Sequence, residues 1–353
     1  MGRWTRLALS LVFTAICLWW TFQDTDWKGM WASLTSARWI MLVPYLLIMT
    51  GMHVARTMRW GNLLSGIERV PFKPLNEASA IGSMLLIVLP FRLGEFARPV
   101  LIAQRSTIRR SAAMTSVVLE RIADGLIVAV LLRALLFFVP ADAPNVDNIK
   151  IAANLVFLVF SGGFVVLLLA RWQHDLVIGL MRKTVGRVAP GLTDRVIHMV
   201  DGFVGALRQL PDARNMAMFC FWTAIYWATC GWSVMVLASA FDCGGMGASA
   251  ACEPLTLDLF QSFVVLCALV VGTMIPLAPG SAGTAQLAMM IALAVFLPDR
   301  VVNTAGAAWA NVQWLVPLLF QIALGLGFML HSQLSLRELA GKLGEDRAAD
   351  RAE

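Results

Sequence analysis

Charge is the scarcest commodity in this chain of 353 residues. Asp, Glu, Lys and Arg together make up 14% of it, and hydrophobic residues make up 59%. A soluble domain carries about 25% charged residues, so a water-solvated fold is excluded and an integral membrane protein is implied. The apolar runs are continuous and lack the alternation of a membrane β-barrel, which leaves an all-α architecture. Histidine is also sparse. His53, His174, His198 and His331 are scattered, and no Cys/His group has metal-ligand spacing. No Walker-type loop is present, so any drive comes from a gradient or a partner. No small-residue cleavage site follows the first apolar run, which is read as a retained span. Neither a cofactor nor a metal is expected. The surplus of Lys and Arg, net +6, reports which loops face the cytoplasm and not a nucleic-acid surface.

What is there is a set of apolar runs broken in telling places. Residues 78–110 matter most. An apolar arm ends at Leu89-Pro90, then comes Arg92-Leu93-Gly94-Glu95-Phe96-Ala97-Arg98, then a second apolar arm. Neither arm reaches the roughly 20 residues needed to cross a bilayer. Basic residues flank both ends, which favours a hairpin that enters the membrane and turns back over a single crossing. A cytoplasmic loop between two poor spans is the alternative. Irregular backbone at membrane depth needs burial in protein or a wet cavity.

Taken in order, span one covers residues 6–22 and follows Arg3 and Arg6, so the N-terminus is placed inside. Span two covers 39–60. Arg56, Arg59, Arg69 and Lys73 are assigned to its cytoplasmic flank. Span three covers 111–139 and carries Glu120, Arg121, Asp124 and Arg133. Glu120 and Asp124 share a helix face, and Arg121 can pair with Asp124. Glu120 lies roughly 14 Å in from Ser111, near mid-membrane. Such charges face a protein interior or a cavity, as a functional group or as a structural ion pair. Span four covers 151–170. Residues 192–210 form an apolar stripe at helical spacing, expected on the inner leaflet or against the bundle. Span five covers 216–240. A second hairpin is expected over 259–296, with the tip Pro279-Gly280-Ser281-Ala282-Gly283-Thr284. The last span covers 301–329, and residues 335–353 form a charged cytoplasmic tail. Cys17, Cys220, Cys230 and Cys267 lie in apolar spans as packing residues. Cys243 and Cys252 share one polar loop, where a disulfide forms if the loop is extracytoplasmic.

The expected architecture is therefore about six full spans plus two re-entrant hairpins. Residues 38–139 and 215–330 form two repeats of opposite topology within a single domain, 1–334. An interrupted segment at matching places in two inverted units points to a binding site near the midplane.

Three stretches carry a family resemblance: Pro90 to Arg98 (P-F-R-L-G-E-F-A-R), Glu120 to Asp124 (E-R-I-A-D) and Pro279 to Thr284 (P-G-S-A-G-T). In order and spacing they resemble the lysylphosphatidylglycerol synthase transmembrane domain, also called the flippase-like domain family. The resemblance implies movement of a polar-headgroup lipid between leaflets. In fused members of the family a separate soluble domain makes the aminoacylated phosphatidylglycerol that is moved. This chain ends shortly past its last span, so aminoacyl transfer is not expected from it; the expected role is not that of an enzyme. The expected binding residues are Arg92, Glu95, Arg98, Glu120, Arg121 and Asp124, with Pro279, Gly280, Gly283, Thr284 and Gln286 at the second tip. Arginine forks suit a phosphate, and the Gly-rich tip would let backbone N–H groups approach an anion. The family often has Glu where this chain has Gln286. Expected partners are membrane lipids and a separate lipid-modifying enzyme; nucleic acid is not expected and homo-oligomerisation is left open. The expected location is a bacterial cytoplasmic membrane with both termini inside. The alternatives are an accessory subunit of a lipid-modifying or glycolipid-synthesis system, and a membrane-embedded transferase.

Overall fold

A computed structural model describes residues 3–88, 94–95, 97–139, 146–172, 179, 183, 211–245, 252–274 and 279–331. The described residues are helical, joined by turns and short loops. In chain order they form α1 (Arg3–Phe22), α2 (Trp27–Thr35), α3 (Leu42–Leu64), α4 (Phe72–Val88), α5 (Ala97–Ala103) and α6 (Arg110–Leu136). Then follow α7 (Val146–Trp172), α8 (Ala213–Ala238), α9 (Leu259–Met274), α10 (Thr284–Leu293) and α11 (Ala307–His331). By length and composition, three helical stretches can cross a membrane: Trp39–Leu64, Ala213–Phe241 and Asp299–His331. Helix α6 is as long as these, but its interior charges set it apart by composition. Much of the surface is apolar, with Trp19, Trp20, Phe137 and Leu158 exposed, as lipid contact requires. This is an all-α integral membrane protein.

Glycines show how the two broken segments fold. A Cβ on Gly94 would fall 2.0 Å from the backbone nitrogen of Leu86, so the tip lies directly on α4. Gly82 takes the Arg98 side chain in the same way. The chain has therefore reversed between α4 and α5, which pack on each other. In the second segment Gly272 of α9 lies against Ala288 and Thr284 of α10. Both breaks thus form tight helical hairpins.

Helices α3 and α8 run antiparallel and form the central pair. At one end the Arg38 N–H donates to Ala240 O at 2.8 Å, and Arg38 pairs with Asp242. Nearer the other end Arg59 covers Tyr226. Around this pair α4 packs on α11, where Gly325 admits Met84 and the Ala80 carbonyl, and α9 packs on both α6 and α10. Helix α1 closes over the second tip at Gly283.

The apolar interior falls into two clusters. One includes Tyr45, Met49, Val128, Leu132, Leu237 and Trp309. The other includes Trp60, Leu64, Ile81, Leu101, Ala113 and Val117. Along α3 the change from one cluster to the other falls between Met49 and Trp60; along α6 it falls between Val117 and Val128. Those gaps are where the helices carry Arg56, Arg59, Glu120, Arg121 and Asp124.

Several boundaries differ from the sequence reading. Helix α3 continues to Leu64, past the expected end of the span at residue 60, so Arg56 and Arg59 lie well inside the helix. The first hairpin arm begins at Phe72, before its apolar run, because Leu75 and Ala78 already face the core. Among the unpaired cysteines, Cys17, Cys230 and Cys267 are buried, but Cys220 is exposed. Cys243 and Cys252 are joined by a disulfide. Residue Arg92, the stripe at 192–210 and the tail at 335–353 lie outside the described residues.

Candidate functional site

Arg59 sits at the centre of the charged layer. Its Nη1 and Nη2 donate to the two oxygens of Asp124, both at 2.7 Å. Its Nη2 and Nε donate to Glu120 Oε1 at 2.6 and 3.1 Å. The i, i+4 spacing of the two carboxylates on α6 presents them to one guanidinium. Such a fork suits Arg, whose planar donors match a carboxylate. Arg59 and Glu120 are essentially removed from solvent. Above the guanidinium lies the Tyr226 ring, 4.7 Å from Cζ to centroid, a cation–π arrangement.

Arg98 completes the layer from the first hairpin. Its Nη1 donates to the second Glu120 oxygen, Oε2, at 3.1 Å. The guanidinium stacks over Trp60 at 4.4 Å, and Trp60 is held in turn by its N–H on Ser116 Oγ. Arg56 donates to Ser83 Oγ at 3.1 Å. Arg56, Glu95, Arg98 and Arg121 then line a small space beside Gly82 and Gly94. The structure therefore brings together Glu95, Arg98, Glu120, Arg121 and Asp124 from the first set of expected residues. It adds Arg56 and Arg59.

Beside this layer is a cavity of about 320 Å³ between α3, α8, α9, α10 and α11. Ligand pockets begin at roughly this size. Its polar lining comes from Tyr45, Tyr226, Ser233, Thr273, Gln313 and Gln321. Tyr226 is the shared wall: one face meets Arg59 and the residue lines the cavity. Tyr45 donates to Gln313 Oε1 at 3.2 Å. On the α11 side Pro317 lines the cavity too. Having no N–H, it leaves the Gln313 carbonyl without its helical partner. Ile87 from the end of α4 and Gly280 from the second tip both reach this cavity.

At the second tip the polar groups bind the turn itself. Gly280 and Gly283 adopt positive φ, 57° and 83°, which a side chain would resist. The N–H of Gly283 donates to Gln286 Oε1 at 2.9 Å. Thr284 Oγ donates to Ser281 O, and the Trp314 indole N–H donates to Gly280 O. Of the expected residues here, Gly280 faces the cavity, while Gly283, Thr284 and Gln286 hold the turn together. Pro279 opens the same single turn. The Gly283 N–H expected to meet an anion is already taken.

With this geometry in hand, comparison with known families is informative. A model of the lysylphosphatidylglycerol synthase TM region matches residues 7–321. The chain belongs to that family. Neither the curated proteins nor the solved structures yielded a match. The family match spans both hairpins, the charged layer and the cavity. The chain is thus a membrane protein of a family related to lipid modification.

Sequence reasoning missed Arg59, Trp60 and the two cavity tyrosines. Two signals were present. Arg56 and Arg59 are three apart, on one face of a helix that the apolar Leu63-Leu64 extends. The chain holds only two tyrosines, and both line the cavity.

Proposed function

We propose that this protein moves a polar-headgroup lipid between the two leaflets of its membrane. One observation carries the reading: a cavity that both hairpins reach and that shares the Tyr226 wall with a buried ionic layer. A headgroup needs polar groups at membrane depth, while its tails remain in lipid. The cavity supplies hydroxyl and amide groups, and the layer behind Tyr226 supplies fixed charge. On this reading the chain binds and releases lipid without changing it covalently, and a separate lipid-modifying enzyme makes the cargo. We place it in a bacterial cytoplasmic membrane with both termini inside. That puts the Cys243–Cys252 bridge on the oxidising side, where disulfides persist.

Reconstitution into liposomes containing a headgroup-labelled phospholipid tests this. Wild-type protein is expected to expose inner-leaflet label to a membrane-impermeant quencher. Ser233→Trp, which fills the cavity, is expected to abolish that exposure while the protein stays folded. Equal movement by the filled variant, or none by the wild type, refutes the proposal.

A further inference from the structure

The charges of the buried layer do not cancel. Among the described residues it holds four guanidinium groups, those of Arg56, Arg59, Arg98 and Arg121. Three carboxylates face them, those of Glu95, Glu120 and Asp124. Glu77 pairs with Arg105 and adds nothing to the balance. His53 meets Asn76 Oδ1 at 2.9 Å. Among the described residues one cation is thus in excess, where an uncompensated charge is costly.

The excess has an address. Arg59 uses its whole fork on Glu120 and Asp124. Arg98 is only 2% exposed, yet its Nε and Nη2 are buried without a hydrogen-bond partner. The Nε of Arg121 is in the same condition. Buried donors left in this state cost free energy, and more when charged. They invite a ligand that accepts hydrogen bonds and carries negative charge. The space that Arg98 and Arg121 share with Arg56 and Glu95 is about 10 Å³, room for one water.

We infer that this space is the closed form of a phosphate site that selects lipids whose headgroup bears one net negative charge, with Glu95 holding the ligand's place. The inference rests on the lipid-moving reading and names its cargo class. A phosphodiester carries a single negative charge, which matches the single excess cation. Its two unesterified oxygens can accept from Arg98 and Arg121 together. Glu95 stands next to Gly94 on the wall of this space, so displacement of its carboxylate frees room and donors together. A zwitterionic or aminoacylated headgroup brings ammonium groups as well, and these add cations to a layer already in excess.

Binding separates the outcomes. The full chain in nanodiscs of phosphatidylcholine is titrated with fluorescent short-chain phosphatidylglycerol, phosphatidylethanolamine and lysylphosphatidylglycerol. Glycerol 3-phosphate serves as a competitor that has the phosphate but no tails. Phosphatidylglycerol is expected to bind about tenfold or more tighter than the other two lipids. Arg98→Gln removes that preference, and Arg98→Lys, which keeps the charge but loses the fork, weakens it. Glu95→Gln is expected to tighten phosphatidylglycerol by about tenfold, the effect of deleting a competing carboxylate. Preference for the lysylated lipid overturns the inference, as does weaker binding in Glu95→Gln. Competition by glycerol 3-phosphate at equal concentration overturns it too, assigning the site to a free anion. Selective binding without lipid movement upholds this site and sinks only the transport reading; movement without charge selectivity does the reverse.

Discussion

Arg59→Met is the sharpest perturbation of the charged layer. It deletes four hydrogen bonds and a cation bonded to both α6 carboxylates. Glu120 then keeps a single bond, to Arg98 at 3.1 Å, and loses its two bonds to Arg59. Asp124, whose side chain is 12% exposed, loses the cation that bound both its oxygens. Removing one partner of a buried pair costs about 3–5 kcal/mol, because a charge is left without compensation. At about 1.4 kcal/mol per tenfold, that is roughly a thousandfold in the ratio of folded to unfolded protein. The assay is thermal: a fluorescent-protein fusion is heated in detergent and the folded fraction is read by size-exclusion chromatography. The single variant is expected to aggregate well below the parent. The double variant Arg59→Met, Asp124→Asn removes one charge of each sign and leaves Glu120 on Arg98; it is expected to regain part of the loss, since replacing a buried ion pair as a unit is often close to neutral. A single variant as stable as the parent refutes the central place given to Arg59. A double variant no better than the single refutes the electrostatic explanation.

Three further outcomes follow from local geometry. Gly94→Ala places a Cβ 2.0 Å from the Leu86 nitrogen; the yield of folded protein should fall, whereas Gly162→Ala, with nothing within 4 Å, should be neutral or stabilising by up to about 1 kcal/mol. Gln286→Glu keeps an oxygen for the Gly283 N–H and should fold normally, while Gln286→Leu should cost about 1–3 kcal/mol in the same thermal assay. Cys243→Ser should lower stability by about 2–4 kcal/mol, and in wild-type protein neither Cys243 nor Cys252 should react with a maleimide until a reductant is added.

The sequence revealed the hairpins more readily than the cavity. Pro and Gly interrupting apolar runs are local signals, and the structure turns the chain at both places. Glu120 and Asp124 stood out because carboxylates inside an apolar helix are rare. Arg59 did not, because an arginine near the end of an apolar run also fits the ordinary basic flank of a span. What distinguished it was the continuation of α3 through Asn62, Leu63 and Leu64, a weak signal beside the excess of arginine that follows. The cavity is built from five helices far apart in sequence. Its existence depends on how those helices pack, which no local pattern encodes. Gln286 was singled out because it replaces the family's Glu; the structure gives it a role in its own turn, one that a carboxylate oxygen could also fill.

The two hairpins divide the labour unequally, and their hydrogen bonds say how. At the second tip, Gln286, Thr284 and Trp314 satisfy backbone groups of the turn itself, so it has little reason to rearrange when a polar ligand arrives. The first hairpin holds Arg98 with two buried donors unused, and it is attached to the core through a layer of charges instead of apolar packing alone. A charged ligand gains most where donors lie idle and little where they are engaged. On the proposed reading, electrostatic binding belongs to the first hairpin, and the second supplies a shaped wall through Gly280. Arg59 couples the two regions without joining the exchange. Its guanidinium holds Glu120, the carboxylate that Arg98 also contacts, and its face meets Tyr226 on the cavity side. On the same proposed reading, a ligand that draws Arg98 away from Glu120 leaves that carboxylate to Arg59, which touches the cavity residue Tyr226.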